Sequence, residues 1–142
     1  MPAGRSAFVG PVWGACGGGC ADRAVGGGAG GARRVGRVLD TTPLILAVDR
    51  FADRLRSAPQ SRLQRGAAAE ALAAARELAV RAQRLENPAA EPRELPDAGM
   101  FAVGDQLAVV GRDLAAALET APSQELDEAV RYVGEAAARA FA

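Results

Sequence analysis

The chain has 142 residues with 17 basic and 17 acidic side chains, and every basic residue is arginine; lysine and histidine are both absent. That length makes one ordinary domain and is too short for two. Without histidine there is no Ser-His-Asp or Cys-His nucleophile, no imidazole base and no histidine metal ligand. Without lysine there is no P-loop lysine and no Schiff base.

Composition changes abruptly near residue 38. Twelve of the 17 glycines lie in residues 1–37, together with Cys16, Cys20 and the single tryptophan, Trp13. Arg5, Arg23, Arg33, Arg34 and Arg37 stand there against Asp22 alone, a net of +4, so residues 38–142 carry −4. Glycine runs such as 17–19 and 26–28 lose much backbone entropy on ordering and bring no side chain to bury. Residues 1–37 are therefore expected to be a disordered, Gly-rich arm.

Two other readings of the arm compete. Arginine without lysine, amid abundant Ala and Gly, is the coding habit of a GC-rich, actinobacterial-like genome. Val38 would then serve as a valine-codon start, and the arm would be an artefact of start-codon choice. Alternatively, Trp13-Gly14-Ala15-Cys16 is a near miss to a lipoprotein cleavage box, which would make the chain an exported, lipid-anchored bundle. The apolar run before it is short and broken by Gly10 and Pro11, which weighs against export. Cys16 and Cys20 offer two thiolates where a structural zinc needs about four ligands. Gly26, Gly28 and Gly31 formally satisfy a dinucleotide fingerprint, but no βαβ pattern surrounds them. No metal and no cofactor is expected.

From Thr41 onward the apolar period is helical throughout. The first helix is expected at about 43–57, capped by Thr41 or Thr42 with Pro43 in its first turn, and seamed by Leu44, Val48, Phe51 and Leu55. Ser57-Ala58-Pro59-Gln60 reads as a capping box for a second helix at about 59–86, ended by Asn87-Pro88. Its seam is Leu63, Ala67, Ala71, Ala74, Leu78, Ala82 and Leu85. Continuity past Gly66 is expected, with a bend there as the alternative. Pro88, Pro92 and Pro96 mark a stiff connection. A third helix is expected at about 98–119, seamed by Met100, Val103, Leu107, Val110 and Leu114. Beside that seam Gly104, Ala108 and Gly111 leave a shallow strip suited to close helix approach. The fourth helix, about 123–141, presents Leu126, Val130, Val133, Ala137 and Phe141. The fold class is all-α, an up-down-up-down four-helix bundle over residues 38–142. No apolar run approaches the ~18–20 residues of a membrane span.

The most localised polar feature is a basic corner of Arg50, Arg54, Arg56, Arg62 and Arg65 around the first joint, opposed by Asp49 and Asp53. Glu86, Glu91, Glu94 and Asp97 face only Arg93 at the far end of the second helix, roughly 30 Å away and well beyond screening range. The corner offers a contact for a partner or an anion. Glu70, Glu77, Asp105 and Asp113 fall beside or opposite the seams, where carboxylates are ordinary solvated groups, so catalysis is not expected. The sequence reads as a small cytoplasmic structural or interaction protein, associating with itself or with another helical protein. The alternative is a nucleic-acid-associated or regulatory protein that uses the Arg50 to Arg65 corner.

Overall fold

A computed structural model describes residues 38–142. Readings that concern the arm, its cysteines and Trp13 lie outside the described residues. The described chain is all-helical, with four helices and no strand. They are α1 (Thr42–Ser57), α2 (residues 60–86), α3 (Val103–Leu118) and α4 (Ser123–Ala140).

Helix α1 begins where Leu44 N and Ile45 N donate to the Thr41 carbonyl. Neither threonine side chain caps it. Asp40 does instead, its Oδ1 accepting from Thr42 N at 3.0 Å, and its hydrogen bonds with Thr42 hold the carboxyl below its ordinary range. The capping box expected for α2 is also absent. Ser57 Oγ turns back to donate to the Asp53 and Arg54 carbonyls of α1, and Pro59 takes the N-cap position of α2 with no side-chain bond.

Helix α2 is not straight. Its first turn, Gln60–Arg62, runs into a π turn over Leu63–Ala67, where Gly66 lies at φ 135° and ψ −12°, and the regular helix resumes at Ala68–Glu86. That φ is open to glycine and strained for any residue with a Cβ. The buried residues Leu63, Ala67 and Ala71 recur at four and four, the spacing a widened turn needs to keep one face inward. The bend, rather than the expected continuity, is what Gly66 provides.

The third helix opens later than its apolar period suggests, at Val103 instead of about 98. Asp97 Oδ1 accepts from Gly99 N at 2.8 Å, and Ala102 N donates to the Gly99 carbonyl. This local turn satisfies the backbone groups that an earlier helix start would have used. Met100 still packs against the core, from the turn.

Packing order departs from the alternating bundle. Helix α1 packs on α3 and α4, and α2 packs on α3 and α4; α1 with α2, and α3 with α4, share no extended interface. Arg56 near the end of α1 meets Asp105 in the first turn of α3, while Leu39 N donates to the Glu119 carbonyl at the other end, so α1 and α3 are antiparallel. Glu70 pairs with Arg139, and Leu85 shares a cleft with Ala129, so α2 and α4 are antiparallel too. Leu63 lies with Val103 at one end and Leu85 with Leu118 at the other, which makes α2 and α3 parallel. The directions therefore run up, down, down, up, not up-down-up-down.

Parallel neighbours need a connection as long as the helix it retraces, and residues 87–102 supply it. Gln83 clips it twice, its Oε1 accepting from Arg93 N at 2.7 Å and its Nε2 donating to the Arg93 carbonyl at 3.0 Å. Further along, Arg76 Nε donates to the Leu95 carbonyl and Gln106 Nε2 to the Pro96 carbonyl. Prolines at 88, 92 and 96 keep the strap out of helical geometry.

The core is contiguous. Phe51, Leu44, Leu78, Leu107, Leu114 and Leu118 are its largest fully buried side chains. The strip of small residues on α3 works as expected: a Cβ at Gly111 would lie 2.5 Å from Val48 Cγ1, so only glycine permits this approach of α1 and α3. No described helix is long and apolar enough to cross a membrane.

Candidate functional site

The five arginines expected to form one corner are divided by the helix on which each side chain falls. Arg56 faces α3. Its Nε and Nη2 donate to Asp105 Oδ1 at 3.0 and 2.7 Å, and its Nη1 to Asp53 at 2.9 Å. These two carboxylates, Asp105 foremost, hold the guanidinium above its usual range. Arg112 pairs with Asp49 at 3.3 Å further down the same seam. Arg50 is exposed and makes no ion pair among the described residues.

Arg54, two residues before Arg56, points the other way. Its guanidinium stacks 4.0 Å from the Phe141 ring, which itself packs edge-on against Phe51 with centroids 6.2 Å apart. Arg62 Nη1 donates to the main-chain oxygen of Ala142 at 3.2 Å. Arg65 is exposed and makes no ion pair among the described residues. Arg139 joins them from the last turn of α4, where its Nε meets Glu70 Oε2 at 3.2 Å. Arg54, Arg62, Arg65 and Arg139 thus gather around the end of α4, where helix carbonyls carry partial negative charge. Arg139 is separated from Arg65 by most of the sequence of the body. Only the antiparallel packing of α2 and α4 brings it in, and no sequence period marks it as a member.

The carboxylates considered for catalysis are mostly engaged: Glu70 with Arg139, Glu77 with Arg81 at 2.8 Å and Asp105 with Arg56, while Asp113 is exposed. The Glu77–Arg81 pair follows the acid-before-base i,i+4 order read from the sequence. Among the described residues no cluster of three metal-ligating side chains forms. At the acidic end of α2, Glu94 pairs with Arg76 at 3.2 Å, and Asp97 is used in its turn. Tyr132 lies beside Arg81, whose guanidinium sits 5.1 Å from the ring centre. Burial, reinforced by Glu77, pushes the phenol above its ordinary range, so it stays protonated at neutral pH.

The other feature of this surface is apolar. Two clefts, about 490 and 510 Å³, lie along the outer side of α2 and share Ala69 and Leu72. One continues past Ala73 and Val80 to Tyr132, the other past Ala68 to Met100 and Val103. Phe101 stands 72% exposed beside Met100.

No protein-family model matches this chain, and neither a curated protein nor a solved structure is significantly similar to it. Its function has to be read from the geometry.

Proposed function

We propose that this is a cytoplasmic, non-catalytic helical protein that works by association, with a second copy of itself or with another helical protein. The observation that carries this reading is the pair of adjoining, mainly apolar clefts on α2, where Ala69 and Ala73 expose small side chains and where Met100 lines one cleft and Tyr132 the other. Small residues at helical spacing let another helix approach closely. The pairing of Glu70, Glu77 and Asp105 with arginines supports a non-catalytic role. Sedimentation velocity on the full chain tests it. Association is expected in the micromolar range and should weaken about tenfold or more in Ala73→Glu, which buries an unpaired charge only in the complex. A wild-type chain that stays monomeric to high micromolar concentration removes self-association.

A second reading, contact with nucleic-acid phosphates, is supported by Arg50 and Arg65 standing exposed without ion pairs among the described residues. It is weakened by the use of Arg56, Arg54 and Arg62 within the fold. Binding of mixed-sequence duplex DNA at low salt, lost when Arg54, Arg62 and Arg65 become Gln, would favour it over the first.

A further inference from the structure

We propose that the cleft at the bend of α2 is a binding site for a small, multiply charged oxyanion: a phosphate group, free or carried on a small molecule. Three independent observations meet there. First, the cleft, about 410 Å³, is lined by the side chains of Arg62 and Arg65 from one helix and Arg139 from another, with Glu70 as the one opposing side-chain carboxylate and with Ala142, whose main-chain oxygen accepts from Arg62, also in the lining. Among side chains that is a local excess of two positive charges, on a body whose twelve arginines are outnumbered by sixteen carboxylates.

Second, the arginines are not all explained by the fold. Arg62 and Arg139 sit at the end of α4, where cations are favoured by the helix dipole. Arg65 lies at the same end of α4 but makes neither an ion pair nor a hydrogen bond within the described residues. Third, Gly66 lines the same cleft in a backbone conformation that other residues rarely adopt, and a Cβ built there would meet nothing within 4 Å. Glycine takes this conformation without strain, and π turns of this kind are frequent at functional sites. At Gly66 an anion approaches the main chain with no side chain in its way.

The Glu70–Arg139 pair acts as a latch. Both side chains are about half exposed, at 41% and 50%, so their contact is weak and exchangeable. An incoming dianion offers Arg139 a doubly charged, bidentate acceptor in place of a single carboxylate. Arg65 then supplies the second guanidinium and Arg62 the third.

Calorimetric titration of the full chain with inorganic phosphate and with pyrophosphate at low salt tests this. Saturable one-to-one binding is expected, tighter for pyrophosphate. Arg65→Gln and Arg139→Gln should each weaken it by about tenfold, the scale of a lost charge-assisted hydrogen bond. Glu70→Gln should tighten it, because the competitor for Arg139 is removed. Circular dichroism should show all three variants folded. The absence of saturable binding, or an Arg65→Gln variant that binds as well as wild type, overturns the proposal. So does binding confined to oligonucleotides and growing with their length. Ala69 lines both the anion cleft and the apolar clefts on α2, but Ala73 lines only an apolar cleft and Arg65 and Arg139 only the anion cleft, so Ala73→Glu and the arginine variants test the two readings separately.

Discussion

The seam between α1 and α3 and the outer side of α2 are built from similar small residues and behave in opposite ways. At the seam, Gly104 and Gly111 meet Ala52 and Val48 so closely that no methyl group fits at Gly111, and ion pairs from Arg56 and Arg112 close the rim. Along α2, alanines at 69 and 73 are exposed, and two clefts stay open. A small residue therefore signals a close contact only when its neighbour is already in the fold. On α2 it leaves room that the fold does not fill.

Adding one methyl group at the seam and one at an open helical position elsewhere should separate tight contact from free space. Gly111→Ala is expected to cost roughly 2–3 kcal/mol by overpacking against Val48, with much of the loss restored in the Val48→Ala background. Gly134→Ala, in open space on α4, should instead be neutral or stabilising by up to about 1 kcal/mol. Urea unfolding of the four variants reads both. Gly66→Ala should destabilise by about 1–2 kcal/mol although nothing obstructs its Cβ, because the cost is conformational. If that variant matches wild type, the bend is not held by Gly66.

Removing the clip that holds the strap should cost less. Gln83→Ala takes away both bonds to Arg93, and a loss of about 1 kcal/mol is expected, with faster hydrogen exchange confined to residues 87–96. Smallest is the effect of Tyr132. Its phenol is raised by burial, so its contribution is intact below about pH 10 and is lost as pH rises through its folded-state value. Absorbance titration of the single tyrosine should place its midpoint above that of the unfolded chain.

Much of this architecture is legible in the sequence. The four helices follow from apolar spacing, and the ends of α1, α2 and α4 fall within a residue or so of where Pro43, Asn87-Pro88 and Ser123 put them. Local hydrogen bonding defeated the finer readings. Asp40 caps where the threonines were expected to, Ser57 bonds backward into α1, and the Asp97–Gly99 turn delays α3. Each concerns a short polar side chain with several backbone partners in reach, and periodicity carries no information about which one it takes.

The candidate site was half legible. Arg62 and Arg65 could be named from their density in the chain, but Arg56 could not be separated from Arg54, since that division depends on which neighbour lies on each side of α1. Arg139 was out of reach for the same reason.

Helix number, the inward face of each helix and the room for close approach on α3 are properties of local order, encoded in apolar spacing, prolines and glycines. The direction of each helix, the return of residues 87–102 along α2 and the meeting of Arg65 with Arg139 arise from contacts between distant segments. Such contacts depend on how four similar apolar faces divide among themselves, a choice that no single stretch of residues contains.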